Sequence, residues 1–225
     1  MAIERAAITN RLSEVHKLWL YIKHNESSAT PPIDIDEIKM VRGLFFVSLY
    51  GAYERSVNES VVQYFTLINS LGISYNHFSG NFYPAAFDSM FTSLRTSEQK
   101  WKKRVEFGAF VESSEVCQIN SGVFEDQLQN PKSKILKMIA EYLGASQLYN
   151  RNHADELYLD EVVEKRNQVA HGRNTAIVVG STGRSDELVI RYQAISRILE
   201  SFVQMLENHY LSKDYIRPPY RGQYN

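Results

Sequence analysis

The chain has 225 residues, 44% of them hydrophobic and 23% charged, which suits one large globular domain with a real core. A net charge of −1 excludes a molecule that attracts nucleic acid with its whole surface, so any phosphate-binding site must be a local patch. The single cysteine, Cys117, excludes an intrachain disulfide and a multi-cysteine zinc site. The longest apolar run, residues 43–52, falls well short of the ~18 residues of a membrane span, and the first residues carry no apolar segment of secretory type. A soluble, cytoplasmic protein with no membrane partner is expected.

Residues 3–24 place Ile3, Leu12, Val15, Leu18, Trp19 and Ile22 on one helical face. A turn-rich loop at residues 25–32 follows. Asp34 or Asp36 is expected to cap a helix that runs to about Leu71 and is closed by Gly72. Gly43 and Gly51 inside that helix predict close approach of a neighbour. Residues 73–84 read as a loop, then two shorter helices near 85–95 and 98–113, then an irregular stretch at 114–130. A helix from Pro131 to Leu143 is closed by Gly144. Residues 155–170 form the next helix, 176–179 a very short strand or hairpin, and 180–183 a turn. A long helix covers about 186–211. Strand signals are almost absent, so the expected fold is an all-α bundle in a single domain over residues 1–211. The Pro-, Tyr- and Arg-rich residues 212–225 are expected to be a flexible tail.

The segment Glu164-Lys-Arg-Asn-Gln-Val-Ala-His-Gly172 carries the chemistry. Projected on a helix, Leu159, Val162, Val163, Val169 and Ala170 gather on one face, and Arg166 falls within that stripe. Arginine stays charged and has five donors, so Arg166 must reach a buried carboxylate, a subunit interface or an anionic ligand. Asn167 and His171 are four apart and share a face. His171 stands at the helix end just before Gly172, where the dipole favours an imidazolium. On the long early helix, Glu54 falls among Val47, Tyr50, Val57 and Val61. It either sits at the border of a wide apolar arc or pairs with Arg166 or His171.

Arg166-Asn-Gln-Val-Ala-His171-Gly resembles the Arg-Asn-x-x-x-His signature of HEPN domains, with the small residue before the histidine and the glycine after it. The layout is most similar to the MAE/RiboL-PSP-like HEPN group, in which a long early helix with a Tyr-Glu pair, here Tyr53-Glu54, precedes the motif helix. Residues 130–144 resemble that group's intervening helix. The resemblance spans roughly residues 10–211. It implies a bundle of long antiparallel helices, with extra short helices inserted between the second long helix and the motif helix. It also implies a metal-independent endoribonuclease without cofactors, whose composite site forms across a homodimer, in a toxin–antitoxin or antiviral-defence setting with an antitoxin or another defence protein as partner. Arg166, Asn167, His171 and Glu54 are then the catalytic set, with no metal ligands. The alternative is a HEPN module that only dimerises or binds a partner.

Lys100-Trp101-Lys102-Lys103-Arg104 is the densest basic cluster. It is either a solvated helix face or an RNA-docking patch, with an indole available for stacking on a base.

Overall fold

A computed structural model of the chain describes residues 3–96 and 98–224. Among the described residues nine α-helices follow in chain order: α1 (Arg5–Asn25), α2 (Asp36–Ser70), α3 (Tyr83–Ala86), α4 (Asp88–Thr96), α5 (Lys100–Val111), α6 (Ser133–Tyr142), α7 (His153–Ala170), α8 (Ala176–Gly180) and α9 (Ser185–Ser212). Short 3-10 turns link several of them, and the two β-bridges, Ser74 to Val116 and Phe78 to Ile216, are isolated. The fold is all-α, as the missing strand signals require.

Helix α2 is the axis. Its Phe45, Phe46, Leu49, Tyr53, Val57, Val61, Tyr64 and Phe65 are buried, so its apolar arc is wider than one stripe, and an exposed strip through Leu44, Ser48, Gly51, Arg55, Val62 and Thr66 is left to solvent. Helix α1 runs antiparallel to it, with Arg11 ion-paired to Glu59 and Glu26, just past the end of α1, paired with Arg42. Helix α7 is antiparallel to both α2 and α9; Arg197 grips Asp155, and Arg191 grips Glu161. The 25–32 loop is anchored because buried Arg42 draws Glu26 and Asp34 together beneath Arg184. Asp34 therefore serves the buried arginine and not a helix cap. The residue preceding α2 is Ile35, and no side chain caps that helix.

The irregular stretch at 114–130 has a defined role. It runs back along α2 as a strap, with the Cys117 amide on the Ile73 carbonyl and Asn69 clasping Ile119 through both its amide groups. Farther along, Asn58 Nδ2 donates to the Leu128 carbonyl, and Tyr53 Oη donates to the Pro131 carbonyl at 3.0 Å. Polar side chains of α2 thus supply partners for backbone that forms no regular ladder. Helix α6 begins at Ser133, two residues after Pro131. Its start is fixed from outside, because Asp160 of α7 accepts the Ser133 N–H at 2.9 Å and faces its hydroxyl at 3.1 Å.

Two further expectations change. Residues 176–179 are not a strand or hairpin. Thr175 caps them into helix α8, which lies directly on the N-terminal part of α2. A Cβ on Gly43 would stand 2.1 Å from the Ala176 carbonyl oxygen, and one on Gly180 would stand 1.8 Å from that of Lys39, so the two glycines permit this contact. Gly51, by contrast, faces open space.

The segment after α9 is not a loose tail over its described residues. Lys213 turns the chain in the left-handed region, and Tyr215 and Ile216 are fully buried. Arg217 Nε donates to the Phe78 carbonyl at 3.0 Å, Tyr220 stacks on His77 with ring centroids 3.8 Å apart, and the Tyr224 hydroxyl meets His77 Nδ1 at 2.7 Å. The aromatic residues that suggested a solvated tail dock on the 74–83 turns. Asn225 lies outside the described residues.

Candidate active site

Helix α7 starts with a well-made cap, since the Asn152 side chain accepts from the N–H groups of Ala154 and Asp155. It stops at His171, whose backbone leaves helical geometry before Gly172 turns at φ 65°, a conformation glycine adopts without strain. The stop decides where the motif sits. His171 is exposed, whereas Arg166 and Asn167 are half-buried one turn earlier. Among the described residues, the imidazole of exposed His171 makes no hydrogen bond, ion pair or ring contact, so both ring nitrogens are uncommitted.

Among the described residues, no carboxylate pairs with Arg166. Its guanidinium carbon lies 4.3 Å from the centre of the buried Tyr50 ring, and Nη1 donates to Asn167 Oδ1 at 2.8 Å. The cation–π contact and the amide satisfy part of the group and leave other N–H donors available for an anion. Glu54 stands behind Tyr50. Tyr50 Oη donates to Glu54 Oε1 at 2.9 Å, and the side-chain amide of Asn130 lies 3.2 Å from the same hydroxyl. Burial, and then the hydrogen bond to Glu54, push the Tyr50 phenol well above its ordinary range, so the hydroxyl keeps its proton and serves as donor. No ion pair joins Glu54 to Arg166 or to His171 among the described residues. The tyrosine lies between carboxylate and arginine, holding one through its hydroxyl and the other through its ring.

Tyr50 and Asn130 are not among the site residues expected from the sequence. Spacing puts Tyr50 one helical turn before Glu54 but as an apolar neighbour, and only its hydroxyl's i, i+4 reach to the carboxylate marks it as part of the site. Tyr53, the immediate neighbour of Glu54, points instead to Pro131. Asn130 arrives through the strap, which has no periodic signal.

The basic cluster opens α5, and α5 packs on α4 and on the Tyr75–His77 turn through Phe107 and Phe110. It is not part of the motif's own group of contacts. A cleft of about 700 Å³ lies at the other end of α7, between Arg151, Asp155, Glu156 and Arg197. Both arginines there are held by bidentate bonds to the two carboxylates, and none of the motif residues lines it.

The model of the family described as RiboL-PSP-HEPN matches residues 6–208. The chain belongs to the RiboL-PSP-HEPN family. That assignment covers nearly the whole bundle, from the first turn of α1 to the last turns of α9, and places the helix α7 motif in a HEPN domain. No curated protein and no solved structure matches the chain.

Proposed function

We propose that this HEPN protein is a metal-independent endoribonuclease of the toxin or antiviral-defence kind, with a composite site formed by two α7 ends across a homodimer. One observation carries the reading: α7 ends by presenting an uncommitted, exposed His171 one turn beyond an arginine held in place by Tyr50 and Asn167. An imidazole can both take up and give up a proton at its ring nitrogens, as the two proton transfers of the reaction require.

In this mechanism the RNA supplies its own nucleophile. One His171 takes the proton of the ribose 2′-hydroxyl, O2′ bonds to phosphorus, and the bond from phosphorus to O5′ breaks. The second His171 protonates the departing O5′. The products end in a 2′,3′-cyclic phosphate and a 5′-hydroxyl. Arg166 holds the scissile phosphate through donors not used by Asn167 and stabilises the extra charge of the transition state. Asn167 orients Arg166, and Glu54 acts through Tyr50 as a positioning group. Each protomer has one motif histidine and the reaction uses two protonation roles, so a twofold axis completes the site.

A second reading has its own support. The contacts of Arg166 with Tyr50 and Asn167 give the arginine a packing role without any ligand, as a dimerisation or partner-binding module would have. Incubating labelled single-stranded RNA with the protein and with His171→Ala separates the two. The nuclease cleaves in the presence of EDTA and loses cleavage in the variant; the module cleaves in neither form.

A further inference from the structure

The α4–α5 hairpin presents a surface that the fold does not use. Helix α5 opens with Lys100, Lys102, Lys103 and Arg104 and has no acidic residue in its first turn. Four cations thus crowd the end of the helix where the dipole is already positive, and there they destabilise it. Lys103 is engaged by Glu106 at 2.6 Å, whereas Lys100, Lys102 and Arg104 form no ion pair among the described residues. Trp101 is 77% exposed and Val105 75% exposed. The Arg104 guanidinium lies 4.6 Å from the centre of the indole, a cation–π contact between two exposed side chains. Packing of α5 uses another face, through Phe107 and Phe110. Glu106 also attracts Lys102, so Lys100 and Arg104 are the cations of this face without an acidic partner among the described residues, and core formation does not account for the exposed tryptophan between them.

The hairpin also points somewhere useful. Helix α4 starts beside the strap, where Cys117 Sγ meets the Ala86 carbonyl. In its last turn, Arg95 shares the walls of a cleft of about 490 Å³ with Asp126 and Gln127. The strap then reaches Gln129 and Asn130, which touch Tyr50. The hairpin tip therefore flanks the strap that ends at the Tyr50, Glu54 and Arg166 group.

We propose that this tip is a docking platform for single-stranded RNA, with a base stacked on Trp101 and phosphates held by Lys100, Lys102 and Arg104. The choice of RNA rests on the ribonuclease reading. The physics of the surface fits it independently, because a lone indole layered with a guanidinium matches a base and the free cations match the backbone. The apolar part, Trp101 and Val105, is too narrow to enter a bilayer as an amphipathic helix face does.

Binding is read apart from cleavage, in the full chain carrying His171→Ala, by fluorescence anisotropy of a labelled RNA of about 12 nucleotides. Adding Trp101→Ala is expected to weaken binding by about fivefold to a hundredfold while circular dichroism and thermal melting stay the same. Replacing Lys100, Lys102 and Arg104 together by Gln lowers the slope of log affinity against log salt by about 0.7 for each cation. Lys17→Gln, on exposed α1, leaves affinity unchanged. No measurable RNA binding, affinity indifferent to Trp101→Ala, or an equal loss in Lys17→Gln would each overturn the platform. So would Trp101-dependent binding to phosphatidylserine vesicles with RNA binding unaffected. Trp101-dependent RNA binding by a protein that never cleaves keeps the platform and removes the nuclease; cleavage with Trp101-independent binding does the reverse.

Discussion

At the scale of single residues, Tyr50 decides how the motif is held. Its ring supports Arg166 and its hydroxyl ties Glu54 and Asn130 together. Tyr50→Phe keeps the ring and leaves the carboxylate and amide short of one partner, so it should cost about 1–3 kcal/mol in urea denaturation and lower cleavage in part, because Glu54 then loses its link to the site. Tyr50→Ala should cost about 3–5 kcal/mol and lose cleavage too, because Arg166 then lacks its platform. The sequence projection found that Arg166 needed a partner, since an obligatory charge on an apolar stripe is a physical contradiction. A carboxylate, a subunit interface and an anionic ligand all answer that need on sequence; the fold supplies a buried aromatic face and Asn167, which meet part of it, and projection of one helix cannot show what a second helix offers.

His209 gives a pH prediction at the same scale. It is fully buried, with Nδ1 against the Tyr64 hydroxyl at 2.7 Å, and burial holds it down at about 4 against a small opposing pull from Asp214. The unfolded chain takes up the proton at about 6.5, while the fold keeps the ring neutral. Stability is therefore unaffected by this group above pH 6.5 and falls as pH drops from there to about 4, by about 3 kcal/mol in total. Urea midpoints from pH 7 to 4.5 should decline less steeply in His209→Gln than in the parent protein; parallel curves would contradict the assignment.

At the scale of elements, the two glycines of α2 separate what a pattern can and cannot say. Gly43→Ala drives a methyl group into the Ala176 backbone and should destabilise by about 1–3 kcal/mol or more. Gly51→Ala meets open space and should stabilise by about 0.5–1 kcal/mol through helix propensity. Thermal melts of the two variants should move in opposite directions. The sequence read both glycines as close-packing positions, because composition marks a missing Cβ and not the neighbour that requires it. The long helices were legible from their periodicity, with ends within a few residues. Helix α8 and the strap were not, because each is set by tertiary partners: Gly43 for the first, Asn58 and Asn69 for the second.

At the scale of the whole molecule, the C-terminal segment belongs to the fold. Tyr215 and Ile216 are fully buried, and removing an apolar side chain of that size from water contributes about 1.5–3 kcal/mol. A chain ending at Ser212 should therefore lose at least about 3 kcal/mol in denaturant unfolding; an unchanged midpoint would mean that the segment only rests on the surface.

The family and the all-α bundle follow from a match across residues 6–208, and the proposed chemistry follows from how α7 ends. Mapping the product ends of one labelled single-stranded RNA, with EDTA present and with His171→Ala in parallel, tests that chemistry most directly. The account predicts fragments bearing 2′,3′-cyclic phosphate and 5′-hydroxyl ends, formed in EDTA and absent with a folded His171→Ala protein. Intact RNA after incubation with the unmodified protein, cleavage abolished by EDTA, or the same fragments from His171→Ala would contradict it.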